Sequence, residues 1–187
     1  MTESAEHAAV VQATRRWMEK SVIGLDLCPF AAVPWRAGRV RLQVSDATRR
    51  QQLAEDLTDE LLALNEADPA EWETTLLIHP HVLDDFADYN DFLDLADGLL
   101  ERLMLDGVLQ IASFHPDYRF ADSPPDDAAH CTNRSPYPTL HLLRESSIEA
   151  AVANHPGPGA IYERNIRTLR EMGREAWERL VQGDGGA

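Results

Sequence analysis

TTLLIHPHVLDDFADYNDFLDLADGLLERLMLDGVLQIASFHP, spanning Thr74–Pro116, decides the fold. Its opening TTLLIH (Thr74–His79) is a short apolar run and reads as a buried strand. Asp84 or Asp85 then caps a helix that reaches to about Leu105, because Phe86, Tyr89, Phe92, Ala96, Leu99 and Leu103 share one helical stripe. Asp88, Asp91, Asp94 and Glu101 fall mostly on the other side, as a solvated helix face requires. Gly107 ends the helix, and Val108–Phe114 is a second apolar run. Strand, helix and strand in this order make the unit of an α/β layer, with the two strands running the same way.

Working outward, residues 3–22 read as a helix, with Val10, Val11, Thr14, Trp17, Met18 and Val22 at helical spacing and Gly24 as its end. LDLCPFAAVPWRAG (Leu25–Gly38) is a loop, and Arg39–Val44 is a strand that alternates around Val40, Leu42 and Val44. Asp46 is placed to cap a further helix striped by Leu53, Leu57, Leu61 and Leu64, closed by Asp68 and Pro69. Toward the C-terminus, Thr139–Arg144 (TLHLLR) fits a strand or a short helix; a capping box of Ser146 and Glu149 starts a new helix and so favours the strand. A turn at 155–159, a last helix over Ile161–Val181 with an interruption near Gly173, and a frayed GDGGA end complete the chain. The expectation is an α/β protein with a mostly parallel sheet of about four strands flanked by helices. It is a single-layer sandwich with N- and C-terminal helical additions, one domain over 1–182 and a disordered tail at 183–187. At least three strands are parallel, and the fourth is free to be antiparallel.

The chain has 187 residues, enough for one domain, and is 44% apolar. A formal charge of −15, from 32 acidic against 17 basic residues, repels phosphate backbones and anionic lipid. Nucleic-acid and membrane partners are therefore not expected. No run approaches 18 apolar residues and the start carries no signal-like segment, so the cytoplasm is the expected location. Cys28 and Cys131 make no disulfide framework and read as small buried residues.

The chemistry concentrates in Phe114–Glu145, FHPDYRFADSPPDDAAHCTNRSPYPTLHLLRE, which holds three of the seven histidines and one of the two cysteines. Ordered loops of this length are usually functional. Two strands end in His-Pro, at His79 and His115; if both run parallel, both histidines reach the sheet edge where open α/β folds bind ligands. Asp117, two residues past His115, is placed to steer an imidazole, and Tyr118 to anchor the loop or touch substrate. TNRSPYP (Thr132–Pro138) offers Asn133, Arg134 and Ser135 either as an anion cradle or as a self-stapled loop. HLLRE has two geometries. On a strand, His141 and Glu145 share a face and Arg144 opposes them; on a helix, His141 and Glu145 take the i, i+4 spacing that holds a metal.

CPFA (Cys28–Ala31), FHPDYRF (Phe114–Phe120), TNRSPYP (Thr132–Pro138) and LHLLRE (Leu140–Glu145) together resemble a bacterial family known as domain of unknown function 1415, along the full length of the chain. The resemblance implies no activity and carries over no catalytic role.

Three functions fit these residues. The first is a cytoplasmic hydrolase or transferase for a small anionic metabolite. His115 is its acid–base group, tuned by Asp117 or Glu145, with His141 beside it. Arg134 and Arg144 hold the anion, oriented by Asn133, Ser135 and Tyr118. The second is a divalent-metal enzyme ligated by His79, His115 and His141 with Glu145 as a fourth ligand. The third is a non-catalytic binding module. Glycine-rich phosphate loops, a GxSxG elbow and CxxC are all absent from the sequence.

Overall fold

The computed structural model describes residues 3–154 and 157–183. Residues 155 and 156 of the expected turn at 155–159, and residues 184–187 of the expected tail at 183–187, lie outside the described residues.

Helix α1 (Glu3–Trp17) runs into a π-helical turn at Met18–Ile23. Gly24 follows because a β-carbon there would strike the Lys20 and Glu19 carbonyl oxygens. The Leu25–Gly38 segment is not wholly a loop: it contains the short helix α2 (Ala32–Arg36), with Pro34 tolerated in its first turn. Strand β1 (Val40–Val44), helix α3 (Arg50–Glu66), strand β2 (Thr74–Ile78), helix α4 (Phe86–Arg102) and strand β3 (Leu109–Phe114) follow in the expected order. A long connection with one 3-10 turn at Ala128–Thr132 leads to strand β4 (Thr139–Arg144), then to helices α5 (Glu145–Ala153), α6 (Ile161–Met172) and α7 (Arg174–Gln182). Gly173, at φ 78°, breaks the last two apart.

The sheet order is β1-β2-β4-β3. Only β1 and β2 pair in parallel; β4 runs antiparallel to both β2 and β3. The sheet is thus mixed, not mostly parallel. The connection after β3 returns to the edge it left, where Thr139 pairs with Phe114, so β4 runs back antiparallel and inserts between β2 and β3. Thr139, the first residue of β4, pairs with both Ile78 and Phe114. β1, β2 and β3 still point the same way, and the His79 and His115 exits share one edge.

Helices cover both faces, so the protein has three layers and not a single-layer sandwich. On one face Leu53, Leu57, Leu61, Tyr89 and Phe92 of α3 and α4 pack on Leu77, Leu140 and Leu142. On the other, Trp17, Met18, Leu169 and Trp177 pack on Val44, Leu76 and Ile78. The strand alternation of side chains divides the two cores, and β2, covered on both sides, is buried at every position.

Two caps differ from expectation. Asp85 does cap α4, accepting from the Ala87 and Asp88 N–H groups at 2.9 and 3.1 Å. Asp46 does not cap α3, which begins four residues later; its carboxylate takes His7 Nε2 at 2.6 Å. The Ser146–Glu149 box does not form either, because α5 starts at Glu145 directly off β4 and Ser146 already lies inside its first turn.

Candidate functional site

The histidines at the two strand exits do come together, around one ring. Tyr89 of α4 lies 5.8 Å from His79 and 5.0 Å from His115, centroid to centroid. Its hydroxyl donates to the Thr139 carbonyl at 2.9 Å and accepts the Phe114 N–H at 3.0 Å, tying β4 and β3 to α4. His115 is fully buried. Its Nδ1 accepts the Asp117 N–H at 3.0 Å, so Nε2 carries the proton and donates to the Leu83 carbonyl at 3.0 Å. Both nitrogens are used, and burial lowers its pKa. His115 therefore has no lone pair for acid–base work, and Asp117 supplies a backbone N–H to it while its side chain stays exposed. His79 donates from Nδ1 to the Val82 carbonyl at 2.9 Å and leaves Nε2 buried without a partner. Desolvation lowers its pKa to about 4 and keeps it neutral.

The polar loop is stapled to itself. Asn133 donates from Nδ2 to the Ser113 carbonyl at 3.1 Å, and Ser135 donates from Oγ to the Tyr137 carbonyl at 2.7 Å. Arg134 is buried and bonds the Tyr118 carbonyl through Nε at 3.3 Å. Tyr118 packs its ring between Phe86 and Phe120, 5.2 Å from each. His130 accepts the Phe120 N–H at Nδ1 and donates from Nε2 to the Pro124 carbonyl, 3.1 and 2.8 Å. Asp127 caps the 3-10 turn and takes a two-pronged bond from Arg170 of α6, which holds its carboxyl down at about 2. Arg144 donates from Nη2 to the carbonyls of Leu64, Ala67 and Trp72 at 2.5, 2.8 and 3.3 Å, closing the C-terminal end of α3. The expected anion cradle of Asn133, Arg134, Ser135 and Arg144 is a set of staples on backbone groups.

The expected metal set does not assemble. His141 lies on the opposite face of the sheet from His79 and His115, and Glu145 begins α5 instead of following His141 on a helix. Among the described residues, no three His, Cys, Asp or Glu are grouped to hold a metal ion.

That opposite face carries a different site. His141 sits mid-strand in β4, in register with Leu76 on one side and Ala112 on the other. The Thr74 hydroxyl donates its one proton to the Leu142 carbonyl at 2.6 Å, so its 2.7 Å contact with His141 Nε2 is made by accepting. This places the imidazole proton on Nε2 and leaves Nδ1 a lone pair with no hydrogen-bond partner among the described residues. Burial holds the ring neutral, with its pKa lowered to about 4. The ring lines a cavity of about 150 Å³ between the sheet, α5 and the Cys28–Pro34 segment. Phe30, Phe114, Leu143 and Ile148 form apolar walls, and the small Ala112 opposite His141 leaves the space open. Met18, in the π-helical turn, and Cys28 complete one side. Such turns recur at functional sites because they displace one residue from regular packing. The Leu27 and Cys28 N–H groups both bond the Val22 carbonyl, at 2.9 and 3.3 Å, fixing the CPF segment to that turn. Burial pushes the Cys28 thiol up, so it stays protonated near neutral pH. Cys131 is buried in the core on this face, with its thiol pushed up to about 11, and is inert.

A wider cleft of about 480 Å³ opens at the C-terminal end of β1, lined by Ser45, Asp46, Asp56, Asp59 and Glu60. Its groups pair locally, Ser45 with Asp56 at 2.5 Å and Arg41 with Glu60 at 2.9 Å.

The sequence pointed to His141 but not to Thr74, Ala112 or the cavity. A threonine at the head of an apolar strand is ordinary in sequence, and only cross-strand register shows that its hydroxyl orients an imidazole. Fold and cavity together define a three-layer α/β protein with a small apolar chamber whose sheet wall presents one histidine. The chain belongs to the family described as Protein of unknown function (DUF1415), which matches residues 9–179. No curated protein and no solved structure matches it. Among the described residues, no helix is long and apolar enough to cross a membrane.

Proposed function

We propose that the protein is a cytoplasmic enzyme, a hydrolase or transferase, acting on a small molecule held in the His141 cavity, with His141 as its acid–base group. One observation carries this reading: the described histidines are otherwise committed, and His141 alone pairs a free ring nitrogen with a cavity. His115 and His130 are saturated, His79 is sealed in the core, and His7 and His81 pair with Asp46 and Glu6. The neutral imidazole offers its Nδ1 lone pair to the proton of a bound hydroxyl or water, while Thr74 holds the other nitrogen and so the ring's orientation. Negative charge developing on the attacked group stabilises the imidazolium that forms. Positioned acid–base help of this kind contributes roughly 10²–10⁴-fold in rate. The substrate is not an anion held by Arg134 and Arg144: Arg134 does not line the cavity, and Arg144 donates Nη2 to three backbone carbonyls at the end of α3.

The test is untargeted turnover of a metabolite extract by the purified chain, followed by mass spectrometry, beside a His141→Gln variant of unchanged melting temperature. Compounds consumed by the wild type and spared by the variant are the expected result. Equal consumption by both removes His141 from the chemistry.

A further inference from the structure

We infer that the His141 chamber takes an uncharged, ring-sized molecule with a single hydroxyl, phenol being the smallest aromatic example. This rests on the same chamber as the enzyme reading and names the class of ligand it selects.

Three features of the chamber converge on that class. The first is size. A cavity of about 150 Å³ lined by aliphatic and aromatic side chains is the volume that admits a benzene ring and little more. Phe30, Phe114, Leu143 and Ile148 supply such walls.

The second is charge. Arg144 and Glu73 both border the chamber, but neither presents an unpaired charge to it: strand alternation turns the Arg144 side chain to the α3 face, opposite His141. Arg144 gives Nη2 to three carbonyls at the end of α3, and Glu73 is paired with Arg39 at 3.0 Å. A carboxylate or an ammonium entering the chamber would lose its water and find no counter-charge, which disfavours it strongly.

The third is hydrogen bonding. The Thr74 bond pattern leaves His141 Nδ1 as an acceptor. The complement to one acceptor in an apolar chamber is one donor. A ring without a hydroxyl leaves that acceptor desolvated and unpaired, a loss equivalent to about ten- to a hundred-fold in affinity. A hydroxyl set against Nδ1 is also the group from which a neutral imidazole can take a proton, so the ligand class and the acid–base role meet at one atom.

The experiment is calorimetric titration of the full chain with phenol, benzene and benzoate, repeated on His141→Leu. The wild type is expected to bind phenol at least tenfold more tightly than benzene or benzoate. In His141→Leu the order of phenol and benzene should invert, since the acceptor is replaced by an apolar wall. Tighter binding of benzoate, an unchanged phenol preference in His141→Leu, or no binding of any of the three to the folded wild type overturns the inference. Should His141→Leu fail to melt cooperatively, Ala112→Leu decides. It fills the chamber opposite the histidine and is expected to abolish phenol binding with His141 intact; undiminished binding overturns the site. The two readings fail separately. Selective phenol binding with metabolite turnover insensitive to His141→Gln removes the enzyme and keeps the ligand class. His141-dependent turnover of a charged metabolite does the reverse.

Discussion

The two faces of the central sheet put the same side chain to opposite uses. On the α4 face, His79 and His115 pack around Tyr89 and serve as internal struts, their donors taken by the Val82 and Leu83 carbonyls. On the other face, His141 is held by one hydroxyl and left with one nitrogen unclaimed beside a cavity. Residue type is alike in the three; the surroundings differ. His115 has both nitrogens bonded, His79 has its spare nitrogen sealed in the core, and His141 has its spare nitrogen beside a cavity. A histidine with both nitrogens bonded stabilises the fold, and a histidine with one left over in a chamber is equipped for chemistry.

The largest effect that tests this contrast is on stability. His115→Ala removes a fully buried ring and orphans the Leu83 carbonyl and the Asp117 N–H, so it should cost about 3–5 kcal/mol in urea unfolding. A loss under about 1 kcal/mol would return His115 to the candidate catalytic groups.

Acid should expose the same face next. Desolvation depresses His79 from its ordinary value near 6.5 to about 4. Between those values the unfolded chain binds a proton that the folded chain refuses, so stability is undiminished above pH 6.5 and drains as pH falls toward 4. The loss attributable to His79 reaches up to about 3 kcal/mol. The urea midpoint at pH 7.5 and at 4.5 measures it, and His79→Phe, which keeps the stack on Tyr89 and cannot titrate, should shrink the difference by the His79 share, with His141 and His115, also depressed by burial, supplying the rest. An identical slope in the variant assigns the acid sensitivity elsewhere.

Arg144→Met should follow in size. It leaves the Leu64, Ala67 and Trp72 carbonyls without their shared donor, at a cost of roughly 2 kcal/mol, with α3 fraying first in hydrogen exchange. Unaltered protection at the end of α3 would free this guanidinium for an anion again.

His141→Gln should move stability least, by under about 1 kcal/mol, because the glutamine amide keeps a donor for Thr74 and the adjoining space is already empty. Its effect belongs to ligand binding and turnover. If it destabilises as much as His115→Ala, the two faces do not differ as described.

Much of the architecture was legible before any contact was known. The leucine stripe of α3, the apolar face of α4, the Asp85 cap and the Gly173 break are read from neighbours within a turn or two, where spacing alone dictates which side chains meet. The proximity of His79 and His115 followed from strand direction. Their role did not, because it depends on carbonyls at Val82 and Leu83 that a left-handed turn at Leu83 brings onto the rings. The loop TNRSPYP presented two equal readings in sequence, cradle or staple, and the partners that settle it, the Ser113 and Tyr118 carbonyls, lie 20 and 16 residues away.

Composition and periodicity thus established the four strands and the long helices, though not the short α2, and that the chain forms an α/β protein, since these depend on local geometry and on hiding apolar surface from water. Folding settled the rest. It placed β4 between β2 and β3, turned His141 away from His79 and His115, matched Thr74 to its ring, and left a chamber where Ala112 faces it. Those outcomes belong to cross-strand register and to volumes left between layers, which no short stretch of sequence contains.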